Sequence, residues 1–464
     1  MRRILANGLV VVTLVVGGRP ASAADVPNIG TRKQGVDWPR FLGPTGDSKS
    51  PERGIVTDWS QGRPRVVWHL KLGMGYCMPA VSRGRIFVFD RAVREARLRC
   101  LESETGKTIW EKTYPTDYED LYDYDGGPRA SPVVDDDRVY TFGPDGTLSC
   151  WAVLDGKRLW SVDTAKKFHV IQNFFGVGST PVVEGNLLIV QIGGSPPPAD
   201  PDSPPTINRA KPDGSGVVAF DKLTGEVKYQ LGDELASYAS PKLATIAGRR
   251  WCFVFARGGL IGFDPTTGKQ DFHYPWRAKI LESVNASTPV VVGDKVFTSE
   301  CYQVGSSLLK VRPGGYDIIW RDPPGVRDEK AMKLHWNTPI AVDGYLYGSS
   351  GRHPEIADLR CIELASGKFK WSEPDLTRTS LLYVDGYFVC LAEAGQLLLI
   401  RANPNKFELV AKAVLTAKLP ASDDEGDQRL LKYPCWAAPI LSHGLLYVRG
   451  KDRLVCVELI PEKK

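Results

Sequence analysis

Eight residues at equivalent points of a repeated pattern are the best candidates for a binding site. Each stands three residues before a proline, or its equivalent, that opens a short apolar strand. Aromatic rings offer stacking faces and a guanidinium offers paired donors to an anion, so the set suits a planar or anionic small molecule. The eight are Tyr76, Arg129, Gly178, Tyr238, Ala286, Trp336, Arg378 and Trp436.

Three polar residues adjacent to these positions, Asn285, His335 and Asn337, extend the candidate site together with Arg352 from a loop of the sixth repeat. A few polar groups among aromatic side chains are typical of a ligand pocket, because they fix the orientation of the ligand. The same composition also suits a plug, in which the rings fill the narrow end of a ring of strands and each arginine pairs with a loop carboxylate. The sequence leaves both roles open.

Signals for metal binding or nucleophilic catalysis are weak. The six histidines show no zinc-ligand spacing, and no Gly-x-Ser-x-Gly motif is present. One acidic cluster lies a few residues before Arg129 and is expected on the same end of the fold as the candidate site. Its carboxylate oxygens could hold calcium; the cluster consists of Asp117, Asp120, Asp123 and Asp125. Because acidic loops are usually only solvated, we expect no metal site and keep calcium at this cluster as the alternative.

The elements that must position these residues recur about every fifty residues. Two apolar runs joined by a Gly/Asp turn indicate a hairpin, and a third strand then leads through a turn such as Thr-Gly-Lys into a fourth strand with an aromatic residue. Four-stranded units at this period predict an all-β protein, an eight-bladed β-propeller. The hairpins begin near residues 78, 131, 180, 240, 288, 338, 380 and 438.

Only seven fourth strands follow the eight hairpins, and the missing one is predicted at the other end of the chain. The segment RVVWHLKLG, residues 65–73, matches a fourth strand and places Trp68 where Trp110 stands in its own repeat. We therefore expect residues 65–73 to pair with residues 453–460 and to close the ring.

The first 23 residues are typical of a secretory signal peptide, with MRR, an apolar run and ASA at the end. We expect a signal peptide over 1–23, an N-terminal extension over 24–59 and one propeller over 60–464, in a periplasmic or secreted protein without a membrane anchor. The formal net charge is only +5, and the basic residues are scattered along the sequence. We therefore expect no basic surface patch that would bind nucleic acid.

The nine cysteines are expected to be mostly reduced and buried. Four of them share one third-strand position in different blades, where the distance is too long for a disulfide; these are Cys100, Cys150, Cys361 and Cys456. Cys252 and Cys390, in second strands, are interpreted in the same way. A disulfide between Cys77 and Cys435, at the start of neighbouring blades, is left open.

The turns SETGKTIW, KLTGEVKY and LASGKFKW resemble the tryptophan-docking repeat of the pyrroloquinoline-quinone (PQQ) propeller superfamily. That superfamily includes eight-bladed quinoprotein alcohol dehydrogenases and the envelope lipoprotein BamB. The leader DWPRFLGP and the stretches YDGGPRASPVV, SVNASTPVV and HWNTPI are similar to exported, BamB-like PQQ-repeat proteins. The resemblance covers about residues 36–460 and is specific for the fold rather than for an activity.

Three departures separate this chain from those relatives. It has no Cys-Cys pair of the quinoprotein dehydrogenases, no Cys-x-x-Cys-His for a covalent haem, and no cysteine before Cys77 to carry a lipid. The resemblance therefore implies a binding or scaffolding module with an envelope protein partner or a small-molecule ligand. The alternatives are a quinoprotein-type oxidoreductase of alcohols or sugars, with PQQ and calcium as cofactors, and a carbohydrate-binding propeller. Oligomeric state stays open.

Overall fold

The computed structural model describes residues 25–61, 64–122, 124–171, 174–197, 210–325, 329–419 and 426–462. The predicted signal peptide, residues 1–23, lies outside these ranges. In the described part of the chain no helix is both long enough and apolar enough to span a bilayer.

Two strands precede the first blade, β1 (Lys49–Ser50) and β2 (Arg65–Lys71). Each blade is then an antiparallel sheet in which consecutive strands pair, as predicted. Blade 1 holds β3 (Ala80–Ser82), β4 (Arg85–Ala92), β5 (Glu95–Glu102) and β6 (Thr108–Pro115). Blade 2 holds β7 (Val133–Asp135), β8 (Arg138–Phe142), β9 (Thr147–Ala152) and β10 (Arg158–Asp163), followed by the short helix α1 (Thr164–Lys167). Blade 3 holds β11 (Val182–Glu184), β12 (Leu187–Gln191), β13 (Val217–Asp221) and β14 (Val227–Leu231). Blade 4 holds β15 (Lys242–Ile246), β16 (Arg249–Phe255), β17 (Gly259–Phe263) and β18 (Gln270–Pro275).

The second half of the ring repeats this order. Blade 5 holds β19 (Val290–Val292), β20 (Lys295–Glu300), β21 (Gly305–Arg312) and β22 (Gly315–Arg321). Blade 6 holds β23 (Ile340–Val342), β24 (Tyr345–Ser350), β25 (Asp358–Glu363) and β26 (Phe369–Glu373), with 3-10 turns at Pro354–Ile356 and Pro374–Leu376. Blade 7 holds β27 (Thr379–Val384), β28 (Tyr387–Ala392), β29 (Gln396–Arg401) and β30 (Leu409–Val414). A two-stranded sheet of β31 (Thr416–Ala417) and β32 (Gln428–Arg429) leads to blade 8, with β33 (Ile440–Ser442), β34 (Leu445–Arg449) and β35 (Arg453–Glu458).

The ring closes through the predicted strand. β2 pairs antiparallel with β35, and Trp68 stands opposite Cys456 while His69 stands opposite Val455. Blade 8 therefore combines three strands from the C-terminal end with one from the N-terminal part of the chain, which confirms the prediction and the eight-bladed fold.

Neighbouring blades are joined by the fourth-strand aromatic residues. The indole N–H of each tryptophan donates to a backbone carbonyl in the turn of the next blade, over 2.9–3.1 Å. Gly106 in such a turn has φ of +72°, and a Cβ there would lie 2.8 Å from the Trp68 ring, so the turn needs glycine. The donor and acceptor pairs are Trp68 with Ser103, Trp110 with Val153, Trp160 with Lys222, Trp320 with Leu364 and Trp371 with Asn403.

All nine cysteines are buried and none forms a disulfide, which confirms the prediction for the six in second and third strands. The disulfide left open between Cys77 and Cys435 is not formed. The Cys77 thiol instead donates to the Phe89 carbonyl at 3.0 Å, and the Cys435 thiol donates to the Lys432 carbonyl at 3.3 Å. Burial raises the pKa of Cys435 to about 12, which keeps this thiol protonated at neutral pH.

Residues 36–50, here called the axial segment, run across one end of the ring. Trp38 exchanges two backbone hydrogen bonds with Val81 of blade 1, and Pro39 accepts one from Val134 of blade 2. On the opposite side the Lys242 ammonium of blade 4 donates to the Thr45 carbonyl at 3.0 Å. β1 then pairs in parallel with β27 of blade 7. Because these contacts reach first strands on opposite sides, the segment crosses the axis.

His443 of blade 8 clamps the start of this segment. Its Nε2 lies 3.1 Å from the Asp37 carboxylate and its Nδ1 lies 3.0 Å from the Gln34 carbonyl. Both ring nitrogens face acceptors, so the doubly protonated imidazolium is favoured, and the hydrogen bond to Asp37 raises the pKa of His443.

The clamp is expected to weaken as the pH rises. Since the folded-state pKa of His443 lies above the unfolded value of about 6.5, its contribution is fully present below pH 6.5 and is lost as pH rises through the folded-state value. His443→Asn, which tolerates the residue's φ of +52°, should cost ~0.5–1 kcal/mol at pH 6 and progressively less towards pH 9. Urea unfolding of both proteins across this range measures the difference, and a pH-independent cost would contradict it.

Candidate functional site: an axial cavity

The eight equivalent positions identified in the sequence all line one cavity at the axis, with a volume of about 350 Å³. One residue from every blade therefore reaches the same space. Of the four polar neighbours, His335, Asn337 and Arg352 also line it. The structure thus brings nearly the whole candidate set together.

A chain of hydroxyls explains why these positions superpose. The serine or threonine before the opening proline accepts a hydrogen bond from the backbone N–H of the equivalent residue in the preceding blade, over 2.9–3.2 Å. Each bond fixes one first strand against the next, so the residue two positions upstream is held at the same height around the axis. The chain runs through Met78, Ser131, Thr180, Ser240, Thr288 and Thr338.

Aromatic rings form one continuous wall of the cavity. The ring centroids of Tyr76 and Trp436 are 4.8 Å apart, those of Trp436 and Trp336 are 4.9 Å apart, and that of His335 lies 4.8 Å from Trp336. The planes are tilted by 47° to 59° rather than parallel. The wall offers ring edges and faces to a ligand on one side only.

Two of the three lining arginines are neutralised within the protein. Arg378 Nη2 lies 2.6 Å from the carboxylate of Glu393, and its guanidinium lies 4.7 Å from the Trp336 ring centroid. Arg129 Nη2 lies 2.7 Å from the Asp120 carboxylate. Both pairs are largely buried, which is the arrangement expected for the plug. Arg352 is different: no acid pairs with it in the described ranges, and its guanidinium lies 4.7 Å from the ring centroid of Tyr302.

His335 is neutral in the folded protein. Burial, together with the nearby guanidinium groups of Arg352 and Arg378, lowers the pKa of His335 to about 3. Its Nδ1 is buried and has no hydrogen-bond partner in the described structure. A buried nitrogen without a hydrogen-bond partner carries a desolvation cost.

Asn285, which the sequence also placed in the candidate site, is not among the residues that line the cavity. Its side chain is completely buried, and its amide Nδ2 donates to the Ala256 carbonyl at 2.7 Å and to the Trp276 carbonyl at 3.1 Å. The residue ties two loop carbonyls of blade 4 together. Asn337 lies at the cavity, but its amide also donates to a backbone carbonyl, that of Thr379 in blade 7.

Several lining residues were not found in the sequence. The axial segment contributes Phe41 and Ser48, which close the far end of the cavity. Tyr124, in the acidic insertion before blade 2, and Phe175 stand at the open end with ring centroids 5.7 Å apart. Tyr124 lies beside the aspartates singled out in the sequence, whereas no feature of the sequence marks Phe41 or Phe175.

The acidic cluster proposed as a calcium alternative does not converge on a common point. Asp120 pairs with Arg129, Asp125 accepts from the Gly127 N–H at 2.9 Å, and Asp117 is exposed. Asp123 lies outside the described residues. Over the ranges that are described, no group of three or more His, Cys, Asp or Glu side chains could hold a metal ion.

Comparisons with known proteins agree with the fold. A family model described as outer membrane protein assembly factor BamB matches residues 52–195 and 94–373. BamB from Moraxella catarrhalis superposes with a TM-score of 0.55 at 13% identity, covering 84% of this chain and 99% of that chain. No curated protein matches the chain.

Two enzymes are also among the structural matches. A europium-containing methanol dehydrogenase gives a TM-score of 0.47 at 12% identity, covering 92% of this chain and 90% of that chain. The quinohemoprotein alcohol dehydrogenase from Comamonas testosteroni gives 0.47 at 14% identity, covering 96% and 82%. At these identities the likeness concerns the fold alone. The family model matches more than half of the residues of this chain. The chain therefore belongs to the BamB-like family of PQQ-repeat β-propellers.

Proposed function

We propose that the protein is an exported binding module that holds a small molecule in its axial cavity. The observation that carries this proposal is the convergence of one residue from each of eight blades on a space of about 350 Å³, closed at the far end by Phe41 and Ser48. This volume falls in the range of about 300–1,000 Å³ typical of ligand pockets. A plug alone would leave no such space.

The quinoprotein alternative has less support from the lining. Calcium prefers six to eight oxygen ligands, usually several of them carboxylates. Glu282 is the one carboxylate among the described lining residues, and it is exposed. The donor set therefore does not fit a PQQ–calcium centre. Mixing the purified protein with PQQ and calcium and recording dye reduction with alcohols and aldoses tests this, and turnover would overturn the proposal.

The open end of the cavity also suits contact with a protein partner in the bacterial envelope. Leu121, Tyr122 and Tyr124 on the insertion before blade 2 are 61%, 53% and 60% exposed. Large apolar side chains grouped on a rim are typical of interaction surfaces. The BamB-like family supports a periplasmic or secreted protein of this kind. A pull-down from envelope extract, repeated with Tyr122→Ser and Tyr124→Ser, should enrich a partner only with the unchanged protein.

Trp336→Ala is expected to weaken ligand binding about tenfold or more while the protein stays folded. The residue is half-buried in the cavity wall and its indole N–H has no partner in the described structure, so truncation removes stacking area rather than a structural bond. Calorimetric titration with a panel of aromatic carboxylates and oligosaccharides measures the change. Phe369→Ala, an exposed aromatic on the outer strand of the same blade, is the matched control. Unchanged affinity in Trp336→Ala would place the ligand elsewhere, and loss of folding would favour the plug.

A further inference from the structure

We infer that the cavity binds an oligosaccharide with an acidic end ring, whose carboxylate meets Arg352 and whose following rings lie in a groove leading to the rim. This inference rests on the proposed function, because it names the ligand class of the same cavity. Charge, shape and the geometry of the aromatic wall support it independently.

The charge argument concerns Arg352. Its side chain is half-buried and packs over Tyr302, yet within the described residues it forms no ion pair, in contrast to Arg129 and Arg378. A guanidinium that loses part of its hydration without pairing with an anion has a desolvation cost that nothing offsets. A ligand carboxylate would complete it with paired, charge-assisted hydrogen bonds.

The shape argument concerns a groove that joins the cavity at this point. The groove has a volume of about 480 Å³ and shares Tyr302, Arg352 and His353 with the cavity. Gln303 and Glu355 line the groove but not the cavity. A compact ligand would fill the cavity alone, whereas a chain-like ligand can occupy both spaces. The exposed carboxylate of Glu355 disfavours a second anionic group in the groove, so the rings that follow are expected to be neutral.

The aromatic geometry favours a sugar over a flat molecule. A planar ring held between two aromatic side chains needs centroids about 7 Å apart, twice the normal contact distance of about 3.5 Å. Trp436 instead contacts Tyr76 and Trp336 directly, at 4.8 and 4.9 Å, and leaves no slot between them. One-sided stacking on such a wall suits the apolar face of a pyranose.

A matched pair of trisaccharides tests the inference by calorimetry. One carries glucuronic acid at its non-reducing end, and the other is the same molecule after reduction of the carboxylate to a hydroxymethyl group. The acidic form should bind the unchanged protein about 10- to 100-fold more tightly, as expected for a charge-assisted contact. In Arg352→Gln the two should bind equally. Arg312→Gln, an exposed arginine on the outer part of blade 5, should retain the full difference.

Each other outcome overturns the inference in a recognisable way. Equal binding of the two trisaccharides, or an equal loss of both in Arg352→Gln, would mean that Arg352 does not meet the carboxylate. Binding of a naphthalene carboxylate but of neither trisaccharide would overturn the sugar class and leave the proposed function standing. If nothing in the panel binds, the proposed function fails as well.

Discussion

Replacing Arg378 with methionine is expected to lower the free energy of unfolding by about 3–5 kcal/mol. The side chains of Arg378 and Glu393 are 10% and 3% exposed, and a hydrogen bond from Nε at 2.8 Å and an ion-pair contact from Nη2 at 2.6 Å join them through one carboxylate oxygen. The carboxylate also accepts the indole N–H of Trp436 at 3.2 Å. Removing the guanidinium leaves a buried charge without its counterion, which costs far more than the intact pair contributes. Denaturant unfolding followed by far-UV circular dichroism measures the loss.

A double variant separates the buried-charge effect from simple loss of packing. Arg378→Met combined with Glu393→Leu removes both charges, and it should be more stable than either single variant because no unpaired ion remains. A cost below about 1 kcal/mol for Arg378→Met alone would mean that water reaches the pair in solution. Arg378, for which the sequence left open ligand binding or pairing with a loop carboxylate, forms such a pair. It holds Trp436 in the wall and is a positioning residue.

The fold could be predicted almost completely from the sequence, because its information is repeated. A single hairpin pattern in a sequence is ambiguous, but eight copies at one period indicate a propeller. The deficit of one fourth strand then identified residues 65–73, and the pairing of Trp68 with Cys456 follows from the same alignment. Repetition also predicted the thiols, since one third-strand position in different blades cannot come within disulfide distance.

The site was predictable only as far as it follows the repeat. Positions three residues before the opening proline superpose, so aligning the blades was enough to bring them together. Glu393, Asp120 and Phe41 stand outside that register, and whether an arginine is paired or free depends on such residues. Asn285 was adjacent in sequence, but its amide turns to the carbonyls of Ala256 and Trp276. Side-chain direction in a loop is decided by its unpaired neighbours, which one sequence does not reveal.

Trp68→Ala is expected to lower the free energy of unfolding by about 3–5 kcal/mol, although the residue does not line the cavity. The side chain is 9% exposed, its indole N–H donates to the Ser103 carbonyl of blade 1 at 3.0 Å, and its ring packs on Tyr447. Truncation therefore opens a cavity and removes a buried hydrogen bond together.

The position matters because blade 8 is the only blade whose fourth strand does not follow its third along the described chain. β2 is held to β35 by hydrogen bonds and side-chain packing, so weakening its anchor also weakens closure of the ring and exposes a sheet edge. Far-UV circular dichroism under urea measures the effect.

Trp68→Phe, which keeps one six-membered aromatic ring but loses the pyrrole part of the indole with its N–H, should cost less, about 1–3 kcal/mol. Ile319→Ala, at an exposed position on the fourth strand of blade 5, should be nearly neutral. If Trp68→Ala lowers the free energy of unfolding no more than Ile319→Ala does, the non-covalent closure of the ring contributes little to stability.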